Sequence, residues 1–232
     1  MVCCFTELKP NKLEYYVPKT CGHPPEANDT FGWTVLIGTG HFYRRCIGTL
    51  INNAFVLTAA HCVMGVEPHE ITLYFGKIPV RELPQCLKQD QCQTAMALNF
   101  TVHPEFRKNT KHLFNVAVIE TNLNVQPTLG NYIYPICLPL NATEEDTEQA
   151  KRHISRPRIY NANNEIQEAC GYSGAPIVVK DARRYYVVGV ANHPVACDRN
   201  RVKRDVTPIM EYVDWILSTL PHGKEEPTTI KP

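Results

Sequence analysis

Short apolar runs alternate with turn-forming residues along most of this chain, a pattern that predicts strands far more than helices. Candidate strands cover 34–38, 46–51, 54–59, 71–75, 116–120, 177–180, 185–191 and 202–207. These runs are rich in β-branched and aromatic residues, with Gly, Pro, Asn and Asp clustered between them. Many short strands with regular turn signals point to an all-β barrel or sandwich. Residues 47–66 contain no Asp, Glu, Lys or Arg but do contain Asn52, Asn53 and His61. They read as two buried strands joined by an Asn turn, not as a membrane span. One helix is expected near the carboxyl end. Thr207 is its expected cap, Pro208 suits its first turn, and Ile209, Val213, Ile216 and Leu220 form one apolar stripe ended by Pro221. Residues 221–232 carry too little apolar surface to fold and are expected to form a flexible tail.

Composition narrows this picture. A chain of 232 residues with 44% apolar content suits one large domain or two small barrels packed together. The net charge of +1 gives no global reason to expect nucleic acid or a membrane as partner. Charge is uneven, however: residues 151–205 hold eleven Lys/Arg against five Asp/Glu, densest in the run from Arg199 through Arg201 to Arg204. Such a run is ordinarily a solvated loop; a polyanion site is the sharper alternative.

Ten cysteines occur without a C-x-x-C pair, which argues against a structural zinc site or a thioredoxin-like centre. Three N-x-T sequons, at Asn28, Asn99 and Asn141, join the cysteines in pointing to an oxidising, extracellular setting. The opening "MVCCFTELKP" has no apolar core of a signal peptide. Either the chain is a fragment of a longer precursor, or the extracellular reading is wrong. Palmitoylation of Cys3 and Cys4 finds no support in a membrane-proximal helix.

The stretch "ACGYSGAP" places Ser173 between glycines. An α/β-hydrolase elbow would run into a helix, but "PIVV" is β-branched and opens with proline. A G-D-S-G-G-P-type turn, as in chymotrypsin-like proteases, does run into a strand. On these residues alone, Ser173 is either such a nucleophile or an ordinary turn serine.

The segment "TLINNAFVLTAAHCV" closely resembles the one that carries the catalytic histidine in chymotrypsin-like (trypsin-family) serine proteases. "ICLP" (136–139) and "VDWI" (213–216) resemble the family's connector and final helix. The resemblance spans 21–220. It implies two packed six-stranded-type β-barrels with a carboxyl-terminal α-helix. The second barrel is expected to be shortened, because only 32 residues separate Cys137 from Cys170. A pared-down barrel and an absent exon explain that spacing equally well.

The resemblance implies disulfides Cys21–Cys137, Cys46–Cys62 and Cys170–Cys197. A Cys86–Cys92 loop bridge is similar to one found in arthropod clip-domain proteases. Residues 1–20, with Cys3 and Cys4, look like the end of a clip domain and its linker.

By resemblance His61 is the base, Ser173 the nucleophile position, and the Gly171 and Ser173 amides the oxyanion donors. The orienting aspartate falls at Asn115, in "FNVAVIE", and no Asp lies between Asp90 and Asp146. The same exchange elsewhere in the family lowers turnover by about 10⁴, roughly 5.5 kcal/mol of transition-state stabilisation. Tyr172 stands where active members have the aspartate that pairs with the new amino terminus. "GHPPEANDTFG" (22–32) offers neither a Lys or Arg to cut after nor an Ile-Val-Gly-Gly.

The pocket wall falls on Asn192, His193 and Pro194, and a lining glycine is replaced by Arg204. The pocket floor falls on Gln167 or Glu168. The expectation is a secreted, catalytically inactive homologue that binds other extracellular proteases or their substrates in a melanisation-type cascade. No cofactor and no metal is implied. The alternative is an active serine endopeptidase that uses His61 and Ser173 with an atypical support residue.

Overall fold

A computed structural model describes residues 20–23, 32–39, 45–76, 93–106, 113–122, 133–140, 159–160, 166–167, 173–181, 184–192 and 206–220. Its first half contains strands β1 (Thr34–Thr39), β2 (Arg45–Leu50), β3 (Phe55–Thr58), β4 (Ile71–Phe75), β5 (Gln93–Val102) and β6 (Ala117–Thr121). They close into an antiparallel barrel in the order β1-β2-β3-β6-β5-β4. Closure gives every strand two partners and leaves no edge for stray pairing.

Period-two patterning explains the inward faces. In β4, Ile71, Leu73 and Phe75 are fully buried and alternate with partly exposed Thr72 and Tyr74. Each such side chain contributes about 1.5–3 kcal/mol by leaving water. The β2–β3 turn is set by Asn52, whose Oδ1 accepts from the Ala54 and Phe55 backbone N–H groups at 2.9 Å each. That is the Asn turn the sequence predicts.

The sequence pattern does not reveal β5. Its fully buried residues are Ala95 and Ala97, too small to stand out as an apolar rhythm, while Phe100 and Val102 pack partly buried against the core. The pairing then shifts register between Ala97 and Asn99, which reverses the alternation midway. Asn99 lies in this strand and is exposed.

The second half contains β7 (Ile159–Tyr160) paired with β8 (Ile166–Gln167), and a three-stranded sheet. That sheet is built from β9 (Pro176–Asp181), β10 (Arg184–Ala191) and β11 (Val206–Pro208), in the order β11-β10-β9. Two helical turns matter for the site: α1 (Ala60–Val63) and the final helix α2 (Val213–Thr219).

The final helix corrects one expectation. Residues Ile209–Tyr212 form a 3-10 turn before α2, and Thr207 lies in β11, where its side chain caps nothing. The Thr207 hydroxyl instead donates to Asn192 Oδ1 at 2.7 Å. Of the expected stripe, Ile209, Ile216 and Leu220 are buried and Val213 is half-buried.

Residues 133–140 sew the two halves together. Ile136 N–H donates to Leu50 of β2, while Cys137 exchanges backbone bonds with Tyr185 and Val187 of β10. The Cys21–Cys137 disulfide fixes Gly22 beside them. Gly22 takes a left-handed φ of 66°, and a Cβ there would collide with the Tyr185 backbone. Trp33 fills the space behind, edge-on to Tyr134 at 5.4 Å and tilted against Tyr185 at 5.3 Å.

Candidate active site

Local sequence and packing bring His61 to its position. β3 ends at Thr58, Ala59 stays extended, and the chain turns into α1 with His61 as its second residue. The Cys46–Cys62 disulfide then ties α1 to β2. His61 remains half-buried, with its ring against the segment that precedes β6.

That segment is shaped by an aromatic cluster. His103 stacks on Phe114 at 5.0 Å and also meets Trp215 at 4.9 Å and Tyr212 at 5.4 Å. Phe114 is held at φ 61°, a conformation that an aromatic L-residue rarely adopts. The clamp absorbs this strain and turns Asn115 inward, where it is 2% exposed. Desolvation lowers the His103 imidazole pKa, partly opposed by Glu105. Burial raises the Tyr212 phenol pKa, with Glu211 adding and a backbone hydrogen bond at Phe114 opposing.

Asn115 meets His61 twice. The His61 backbone N–H donates to Asn115 Oδ1 at 3.0 Å. Asn115 Nδ2 lies 2.9 Å from His61 Nδ1, with Oδ1 slightly farther from that ring nitrogen at 3.2 Å. The backbone contact fixes how the amide is oriented. A backbone N–H can only donate, so the amide must present its oxygen to it. The amide nitrogen, which cannot accept, is then left facing Nδ1. A nitrogen–nitrogen contact this short is a hydrogen bond only if Nδ1 accepts. With Nδ1 accepting from Nδ2 the neutral ring carries its proton on Nε2; with Nδ1 protonated it donates instead to Oδ1.

Ser173 is anchored at the seam of the two halves. Its carbonyl accepts from Ile47 N–H of β2 at 2.8 Å, and Gly174 N–H donates to Ala191 of β10 at 2.7 Å. Gly174 sits at φ 84°, and a Cβ there would run into Ile47 O and Thr58 Oγ1. The seam thus accepts only glycine after the serine. Ser173 is 6% exposed, one residue pairing away from the Cys46–Cys62 bridge beside His61. The chain continues into β9, so the hydrolase-type elbow is excluded by context.

Asn192, expected on the pocket wall, is 2% exposed and accepts from the Thr207 hydroxyl, which also lies near the Asn115 carbonyl. Thr207 Oγ1 lies 2.7 Å from Asn192 Oδ1 and 3.3 Å from Asn115 O. Its single hydrogen goes to the nearer amide. Thr207 and the Phe114 clamp were not legible as site residues in the sequence; the strained φ and the long-range bond exist only in three dimensions.

Gln167 belongs to β8. Glu168, Gly171, Tyr172, His193, Pro194, Arg199, Arg201 and Arg204 lie outside the described residues. So do Asn28, Asn141 and the expected Cys86–Cys92 and Cys170–Cys197 bridges.

Cys46, His61 and Cys62 also bring their sulfur and nitrogen atoms within 4.8 Å of one another. The two sulfurs are joined to each other, so they offer no thiolate to a metal.

Residues 20–156 match the Trypsin family, and the chain belongs to it. It is 25% identical to serine protease 7 of Drosophila melanogaster over 84% of this chain and 63% of that protein. It is 24% identical to phenoloxidase-activating enzyme 1 of Spodoptera litura over 83% of this chain and 64% of that protein. It is 23% identical to phenoloxidase-activating factor 3 of Holotrichia diomphalia over 93% of this chain and 79% of that protein. The chain thus spans less than two thirds of the length of the first two relatives. Among the described residues, no helix is long and apolar enough to cross a membrane.

Proposed function

We propose that this protein is a non-catalytic member of the trypsin family that works by binding other proteins of an extracellular proteolytic cascade. The observation that carries this reading is the 2.9 Å contact between Asn115 Nδ2 and His61 Nδ1. A serine protease needs a lone pair on Nε2 to take the serine proton, and a carboxylate behind the ring to stabilise the imidazolium. Here the group behind the ring is a neutral amide, which cannot stabilise the imidazolium and, in the nearer of its two contacts with Nδ1, holds the ring in the tautomer that lacks that lone pair.

Two sequence features support the same conclusion. Tyr172 replaces the acidic half of the activation latch, and residues 22–32 lack a basic cleavage site. Similarity to phenoloxidase-activating proteins favours an immune, melanisation-type cascade, with its proteases or their substrates as partners. The clip-like residues 1–20 and the exposed sequon at Asn99 fit a secreted glycoprotein.

A fluorophosphonate probe tests the reading directly, because it reports nucleophilic serine without requiring the right peptide. Labelling no higher than that of the Ser173→Ala variant is expected. Stoichiometric labelling of Ser173 would return the protein to the active endopeptidases.

A further inference from the structure

We infer that Asn99 carries an N-linked glycan whose first sugars lie over Met96 and Leu98 on the outer wall of the barrel. This rests on the extracellular part of the proposed function, not on the loss of catalysis.

A regular strand would turn Asn99 into the core, because Ala95 and Ala97 face inward and the side-chain period is two. The bulge prevents this. Ala97 pairs with Thr121 and Asn99 with Glu120, so Leu98 is an extra residue opposite a single step of β6. Asn122 pins the strand just before it. Its Oδ1 accepts from the Met96 N–H at 3.0 Å, and its own N–H donates to the Met96 carbonyl at 3.1 Å. Beyond the bulge Phe100 and Val102 pack against the core, while Asn99 and Thr101 are both exposed. Both polar members of the N-x-T triplet therefore stand on the outer wall.

The glycan is added while the chain is still extended, so the barrel must close with the sugar already attached. Only an outward Asn99 permits that, since an inward one would bury a polar sugar in the core. Transfer joins Nδ2 to C1 of the first sugar and breaks the bond from that carbon to a lipid-pyrophosphate donor. The lipid pyrophosphate leaves, and Nδ2 gives up one proton. Asn99 Oδ1 accepts from the Phe100 N–H at 2.8 Å, and this bond is kept because only Nδ2 changes.

The wall beside the attachment point is apolar. Leu98 is 58% and Met96 39% exposed, two of the three large apolar side chains exposed among the described residues. The Thr72 hydroxyl, 3.7 Å from Met96 Sδ, keeps Met96 against the wall. A sugar ring laid over this pair shields it from water with its C–H face and leaves its hydroxyls solvated.

Two measurements decide the matter on the full chain, secreted from cultured eukaryotic cells behind a leader. The first is treatment with a peptide N-glycosidase in heavy-oxygen water, followed by mass spectrometry of the peptide spanning Asn99. Most secreted molecules are expected to show Asn99 converted to heavy-oxygen aspartate. Unmodified Asn99 in the secreted protein overturns the inference, as does a glycan found only in the retained, unsecreted fraction.

The second measurement is the rate at which peroxide oxidises Met96. Asn99→Gln and Thr101→Ala, which lose the acceptor motif, should oxidise there at least about twofold faster than the wild type and Thr101→Ser, which keep it. Equal rates in all four overturn the inference. If either variant is not secreted, wild-type protein stripped of glycan after folding supplies the same comparison. Failure here is distinguishable from failure of the non-catalytic reading. Fluorophosphonate labelling of Ser173 would overturn that reading and leave the glycan in place, whereas a bare Asn99 in an unlabelled, secreted protein would do the reverse.

Discussion

The closed barrel and the three-stranded sheet use the same residue types but are stabilised differently. In the barrel each strand is hydrogen-bonded on both sides, and Ile71, Leu73 and Phe75 point into one shared core. The β9–β11 sheet has a much smaller cluster of its own and reaches the rest through residues 133–140 and the Ser173–Ala175 segment. The barrel can therefore hold His61 and Asn115 in place regardless of whether they catalyse. The disulfide, the Asn52 turn and the Phe114 clamp hold this geometry through bonding and packing alone. A protease-like site is thus weak evidence for activity; the atom behind the imidazole decides.

The largest test of this division is the bridge between the halves. Replacing Cys21 and Cys137 by serine opens a loop with a sequence separation of 116. Loop-closure entropy predicts a loss near 4.7 kcal/mol, the value for a loop of about 100 residues. It should appear as a lower urea midpoint; an unchanged midpoint would mean that the backbone bonds of 133–140 alone unite the halves.

The seam comes next. Gly174→Ala is expected to cost more than about 1 kcal/mol, since the left-handed φ and the Ile47 carbonyl both oppose a Cβ. Chemical denaturation measures it, and a neutral result would show the seam to be loose.

Asn115→Asp sharpens the comparison on the barrel side. It should raise fluorophosphonate labelling of Ser173 at least about tenfold, short of the roughly 10⁴ that this exchange is worth in an intact cleft. No rise would place the limiting defect in the second half rather than behind His61.

The smallest expected effect is a pH dependence. His103 has its folded-state pKa lowered by burial, so the unfolded chain binds the proton more readily. The stability it contributes is present above about pH 6.5 and is lost as pH falls through the folded-state value. Melting temperature should decline from pH 7 toward pH 5, and His103→Gln should flatten that slope. An identical slope in the variant would assign the decline to other groups.

Much of the fold was legible in sequence because alternation and turn chemistry are local. The strands now seen as β1–β4, β6, β9 and β10 fall within a residue or two of the positions expected. β5 escaped because alanines mark its inner face and a bulge reverses its phase. Thr207 misled because a threonine before Pro208 is a good cap, while its actual partner, Asn192, lies fifteen residues away. Of the site, His61, Asn115 and Ser173 were visible as motif positions. The loss expected from an amide at position 115 was visible too; how that amide meets the ring and the His61 backbone was not.

The sequence by itself determined the residue types: asparagine at 115, tyrosine at 172, and ten cysteines. Only the tertiary structure decided how that amide is oriented. The His61 backbone N–H claims Asn115 Oδ1, and the planar amide then brings Nδ2 to 2.9 Å from Nδ1, nearer than Oδ1 at 3.2 Å. Residue identity is written along the chain, but hydrogen-bond direction is settled by neighbours that meet only on folding.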